Sequence, residues 1–214
     1  MLQSRPKTRA AAINNMNTSR SIYYLVNGIT IYRIVAAPVL LLLIIFNRFD
    51  VFKWMLALSF FTDAIDGYLA RRYNAISVLG ARLDSIADDL TIAMAIIGIV
   101  WLNFHFILAQ WIWIAILILL FLVQAGLAFK RYSKMTAFHT YTAKAAAVVQ
   151  AAFIISFFFT PAPLLWLFYL CALFTGLDLL EEILLITQLP VYRLNVKGLY
   201  WVLKKKSARS TSAH

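Results

Sequence analysis

An all-α integral membrane fold of six transmembrane helices, with both termini on the cytoplasmic side, is what this sequence predicts. Three observations carry that expectation. Of 214 residues, 63% are hydrophobic and 14% charged, where a soluble domain has roughly 45–50% and about 25%. The apolar residues fall in long runs, and about 20 such residues span the hydrocarbon core of a bilayer. Between the runs, Lys and Arg concentrate in alternate loops, the bias that orients helices in membranes.

Taken in order, the runs read as helices at 29–47, 54–72, 82–103, 107–129, 140–160 and 163–188. Asn103, Phe104 and His105 separate the third from the fourth, and Thr160-Pro161-Ala162-Pro163 separates the fifth from the sixth. Backbone groups inside a bilayer have no water to bond, so helices that pair them internally are expected. One set of loops carries Arg5, Lys7, Arg9 and Arg20, then Arg71, Arg72 and Arg82, then Lys130, Arg131 and Lys134, then the bases from Arg193 to Arg209. The opposite set carries only Arg48 and Lys53. Six spans with both ends inside satisfy this bias. Trp101, Trp111, Trp113 and Trp166 fall near the outer boundary, as an aromatic belt would, and Trp201 near the inner one.

Residues 1–20 are basic and free of acids, and are expected to form a flexible cytoplasmic tail, not a secretory signal. Residues 21–190 form one six-helix domain, and 191–214 a basic tail whose VKGLYWVLKKK stretch suits the membrane interface. The net charge of +11 is read as topology signals and contacts to anionic lipid head groups, with no nucleic acid as partner. The single cysteine, Cys171, lies within an apolar run and is read as packing.

Acids are costly near a membrane, yet five of the nine in this chain fall between Asp63 and Asp89. Asp63 and Asp66 are spaced i, i+3, and Asp84 and Asp88 i, i+4, so each pair shares a helical face. Two like charges about 4 Å apart repel by about 4 kcal/mol at an effective dielectric of 20. A cation relieves that repulsion, and a set of oxygen ligands without His or Cys favours hard ions such as Mg²⁺, Mn²⁺ or Ca²⁺. The plainer reading pairs these acids with Arg71, Arg72 and Arg82 as solvated helix ends.

From Asp63 the chain reads DAIDGYLARRYNAISVLGARLDSIAD, or D-x2-D-G-x2-A-R-x8-G-x3-D-x3-D. This pattern, eight fixed positions over 26 residues, resembles the signature of the CDP-alcohol phosphotransferase family without departure. Asn27, Thr30 and Arg33 form N-x2-T-x2-R, similar to the motif before the first helix in members that make phosphatidylglycerophosphate or related lipids. The resemblance implies a six-helix membrane enzyme that moves a phosphatidyl group from CDP-diacylglycerol to an alcohol and releases CMP. It implies a two-metal site, Mg²⁺ or Mn²⁺, with Asp63, Asp66, Asp84 and Asp88 as ligands and Asp88 also as general base. Gly67 and Ala70 would lie close to the cytidine diphosphate, Gly80 would open space beside the cytidine, and Arg71, Thr30 and Asn27 would contact its phosphates.

A second basic group, Lys130, Arg131, Lys134, His139 and Lys144, lies where the fourth helix meets the fifth. Arg33, Arg82, Arg131, His139 and Lys144 are candidates to bind a phosphate on the acceptor, which favours glycerol 3-phosphate and phosphatidylglycerophosphate as product. Phosphatidylglycerol, giving cardiolipin, and inositol or its phosphate are the alternatives. The glycine-lysine motif of many phosphatidylglycerophosphate synthases is replaced here by HTYTAK. Asp178, Glu181 and Glu182 on the sixth helix are read as structural. A bacterial inner membrane is expected, and the resemblance implies a homodimer. A small cation transporter is the alternative of another class, though it favours acids near mid-bilayer, away from glycines. A membrane scaffold would give no reason for the glycine and arginine positions.

Overall fold

The structure, a computed structural model, describes residues 28–72, 78–133, 138, 140–189, 196, 198–202 and 204, with backbone alone at 66–72 and 78–82. Among the described residues every regular element is a helix. In chain order these are α1 Gly28–Ile45, α2 Phe49–Arg72, α3 Val78–Leu102, α4 Phe104–Ala109, α5 Trp111–Tyr132, α6 Tyr141–Phe159 and α7 Leu165–Gln188. The chain divides into two compact units, Met1–Leu102 and Asn103–His214.

In the first unit α2 packs against α3. The α1–α2 connection is tight: Asn47 takes a left-handed conformation (φ 55°), which asparagine tolerates better than most residues, and Arg48 N–H donates to Leu43 O at 2.8 Å. Trp101 at the far end of α3 donates its indole N–H to Asn47 Oδ1 at 3.1 Å, pinning this turn. Helix α2 starts at Phe49, five residues ahead of the expected 54. Asp50 in the first turn complements the positive end of the helix dipole, and Lys53 one turn on donates to it at 2.8 Å. Leu40, Ile44, Phe52, Leu56, Ala87 and Ala95 are buried.

The second unit is arranged around α7, which packs against both α5 and α6. Its first element departs from the sequence expectation. Asn103-Phe104-His105 reads as a loop, yet Asn103 Oδ1 accepts from Phe106 N–H at 3.0 Å and caps the short helix α4. Packing explains why so short a helix holds. Phe106 inserts among Phe157 and Phe168, with ring centroids 5.4 and 5.2 Å away in edge-to-face geometry, the arrangement aromatic rings prefer. Thr140 opens α6 by accepting from Ala143 N–H at 3.1 Å. Beyond α7, Val196, Leu199 and Val202 pack with Ala128, Phe138, Leu185 and Ile186, so part of the predicted interfacial tail is seated on the protein.

Among the described residues, four helices are long and apolar enough to cross a membrane: Gly28–Ile45, Leu83–Leu102, Trp111–Tyr132 and Tyr141–Phe159. Helices α2 and α7 are equally long, at 24 residues each, but α2 carries Asp50, Lys53, Asp63, Asp66, Arg71 and Arg72, and α7 carries Asp178, Glu181 and Glu182. Large apolar side chains line the outside, with Val148 at 70% exposure and Trp54 at 66%. In water such a surface would drive association; against lipid it is the expected one. The chain is an integral membrane protein.

Candidate metal centre

Asp63 on α2 and Asp84 and Asp88 on α3 meet in the first unit. One carboxylate oxygen from each lies within 4.8 Å of the others. The α2–α3 packing sets this up, because Asp84 and Asp88 occupy successive turns of one face while Asp63 projects from the neighbouring helix. At that spacing, two carboxylates repel by roughly 3.5 kcal/mol or more at an effective dielectric of 20. Three of them hold together only with compensating positive charge.

Arg33 supplies part of it. It is the single charged residue of Gly28–Ile45 and is only 2% exposed. Its Nη1 donates to Asp63 Oδ1 at 2.7 Å and to Asp84 Oδ1 at 3.3 Å, and its Nη2 donates to Asp88 Oδ1. The carboxylates themselves reach the surface, their side chains being 38%, 39% and 40% exposed. A buried guanidinium thus forms the floor of a cluster whose upper side is open. Each bond uses one oxygen, and the second oxygen of each aspartate is uncommitted among the described residues.

This donor set fits a hard divalent cation. It consists of carboxylate oxygens from two helices, close enough to share one ion, with no His or Cys in the group; Mg²⁺, Mn²⁺ and Ca²⁺ prefer such ligands. One guanidinium offsets only one of three negative charges, so the cluster keeps an excess that a cation would neutralise.

The other sequence candidates distribute unevenly. Asp66, Gly67, Ala70 and Arg71 lie on α2, and Gly80 and Arg82 on α3, but their side chains lie outside the described residues, as do Asn27 and His139 altogether. Thr30 is buried on α1, one turn before Arg33. Arg33, expected beside an acceptor phosphate, is engaged by the aspartates. Arg131 and Lys144 belong to the second unit and are exposed, with Lys144 Nζ 5.6 Å from the centroid of the Tyr141 ring.

On α7 Glu181 and Glu182 pair with neutral donors. Glu182 accepts from Gln124 Nε2 at 2.6 Å and from Phe138 N–H at 3.0 Å. Glu181 accepts from the Thr142 hydroxyl and, at 2.7 Å, from Leu199 N–H. Asp178 Oδ1 is buried with no hydrogen-bond partner among the described residues. Sequence reasoning missed both this clasp and the engagement of Arg33. For Arg33 the signal was present: a lone charge within an otherwise apolar span needs a partner.

An all-helical membrane protein with an oxygen-only carboxylate cluster at the joint of two helices is the class that fold and site define. Within it, the chain belongs to the CDP-alcohol phosphatidyltransferase family, whose model matches residues 23–187, more than half of the sequence. It is 42% identical over 75 residues to a Rickettsia bellii protein named CDP-diacylglycerol–glycerol-3-phosphate 3-phosphatidyltransferase, a stretch that is 33% of this chain and 41% of the relative. It is 37% identical over 67 residues to the CDP-diacylglycerol–inositol 3-phosphatidyltransferase of Saccharomyces cerevisiae, 31% of this chain and 30% of that one. A CMP-forming cardiolipin synthase of Streptomyces coelicolor is 44% identical over 63 residues, 29% of this chain and 28% of that one. The chain therefore spans about two fifths or less of the length of these curated relatives. No solved structure gives a significant match.

Proposed function

We propose that this protein is a metal-dependent transferase that moves a phosphatidyl group from CDP-diacylglycerol to an alcohol and releases CMP. The observation that carries this reading is the meeting of Asp63, Asp84 and Asp88 within 4.8 Å, inside the segment matched by the family model. Glycerol 3-phosphate is the acceptor we favour, giving phosphatidylglycerophosphate. Relatives from Rickettsia bellii and Rickettsia felis bear the name of that reaction. Phosphatidylglycerol and inositol, or its phosphate, stand as alternatives because relatives named for cardiolipin and inositol lipid synthesis match over similar lengths.

Asp63, Asp66, Asp84 and Asp88 would hold Mg²⁺ or Mn²⁺, two ions in our reading. When bound, such ions offset the negative charge of the diphosphate that repels a nucleophile and stabilise the departing CMP. The alcohol oxygen attacks the phosphorus that carries diacylglycerol, and the bond from that phosphorus to the CMP oxygen breaks with its electron pair leaving on CMP. The carboxylate of Asp88 receives the alcohol's proton. Thr30 and Asn27 contact the diphosphate from the first helix and Arg71 from the second, while Gly67, Ala70 and Gly80 leave room for the nucleotide. Arg82, Arg131, His139 and Lys144 are the bases we assign to the acceptor phosphate.

The same reading counts α1, α2, α3, α5, α6 and α7 as six spans with both termini in the cytoplasm. It places the protein in a bacterial inner membrane as a homodimer, with the aspartates on the cytoplasmic side. Purified protein incubated with CDP-diacylglycerol, Mg²⁺ or Mn²⁺ and each alcohol in turn provides the test. CMP released with glycerol 3-phosphate alone supports the favoured acceptor. Release with another alcohol alone replaces that acceptor, and no release with any of them overturns the transferase reading.

A further inference from the structure

Arg33 does more than neutralise charge. Its guanidinium is buried, and it bonds to carboxylates from two other helices, Asp63 on α2 and Asp84 and Asp88 on α3. It approaches from below, through one oxygen of each, while the same side chains stay about two-fifths exposed above. A charge in an apolar span is costly unless paired, and the three aspartates supply that pairing for Arg33. Two cations drawn to the same carboxylates oppose each other, and that opposition is reciprocal: whatever the first subtracts from the second's affinity, the second subtracts from the first.

We propose that Arg33 is the resident counter-cation of the aspartate cluster, a positioning residue that keeps the carboxylates converged and sets how tightly they take a divalent ion. The proposal rests on the metal-site reading above. It separates two effects that a merely structural ion pair would not. Removing the guanidinium weakens the fold when no divalent ion is added, because three like charges are left facing each other. The same removal strengthens divalent-ion binding, because the competing positive charge is gone.

The test uses the full chain in lipid nanodiscs, with free Mn²⁺ measured by electron paramagnetic resonance during titration and thermal unfolding followed with chelator and with saturating Mn²⁺. For Arg33→Gln we expect Mn²⁺ affinity to tighten by about tenfold, within the usual range for coupled sites, and the unfolding temperature in chelator to fall below wild type. Saturating Mn²⁺ should recover most of that loss, since a ligand stabilises the state it binds. Arg33→Lys keeps a charge but not the fork that spans three carboxylates, so a smaller tightening is expected; it serves as the deciding variant should Arg33→Gln not fold. Unchanged or weaker Mn²⁺ binding in the folded variant, with wild type binding normally, overturns the role of Arg33. Asp63→Asn separates this from the site itself: if it binds Mn²⁺ as wild type does, or wild type binds none, the metal centre fails and this inference fails with it.

Discussion

Replacing Asp88 with Asn preserves the shape of the side chain and an oxygen that accepts from Arg33, and removes the charge and the capacity to take a proton. Asp88→Asn should therefore remain folded while CMP release falls by roughly 10²- to 10⁴-fold, the usual contribution of a positioned base; activity at the wild-type level would refute that assignment. Glu182 makes the contrasting case, a carboxylate whose work is structural. Glu182→Ala removes the bonds it accepts from the buried Gln124 amide and Phe138 N–H, at about 1–3 kcal/mol for each. Glu182→Gln keeps an acceptor oxygen and should cost less, and thermal unfolding in detergent measures the difference. The meeting of Asp63, Asp84 and Asp88 follows a pattern visible in the sequence, where the i, i+4 spacing of Asp84 and Asp88 places them on one helical face; the side chain of Asp66 lies outside the described residues. A lone charge in an apolar span announced that Arg33 needs a partner, and Glu182 was read as structural, but the partners themselves lie 30 or more residues away, and nothing local names them.

Helices are read from sequence by the length of apolar runs, and that signal located α1, α3, α5 and α6 within a few residues. It fails where an element is too short to show periodicity. Helix α4 has six residues, and its existence depends on the Asn103 cap and on the socket that Phe153, Phe157 and Phe168 form around Phe106. Phe106→Ala should destabilise the second unit by about 3–5 kcal/mol, the usual cost of deleting a buried phenylalanine. Asn103→Ala should cost about 1 kcal/mol through the lost cap. Comparable losses in the two variants would contradict the view that packing, more than capping, holds this helix. At the far end of the unit, Gly198 has φ +151°, and a Cβ there would meet Glu181 Oε1 at 3.0 Å. Gly198→Ala should loosen the segment seated on α7, detectable as faster proteolysis after residue 189 with the six longer helices still intact.

Across the whole molecule, the arrangement of charge makes a claim about sidedness. Helices α2 and α7 carry several acids each, which argues against burial in hydrocarbon, but the structure shows how much of that charge is answered within the protein. Asp63 is paired with Arg33, and Glu181 and Glu182 each accept two hydrogen bonds from their own unit. Intramembrane acids are tolerated when they face such partners, so both helices can cross. If they do, Arg48, His105 and Ala162 lie on one side and Lys130 and Lys204 on the other, all five being exposed. The positive-inside bias assigns the second group to the cytoplasm. With Cys171 replaced by Ala, single cysteines at these five positions, exposed to a membrane-impermeant thiol reagent on intact cells, should label at 48, 105 and 162 and stay protected at 130 and 204 until the cells are opened. Labelling at 48 with protection at 105 would mean that α2 and α3 do not both cross. The two helices that carry the carboxylates would then not form a membrane hairpin, and the cluster would lose its assigned place at the inner face.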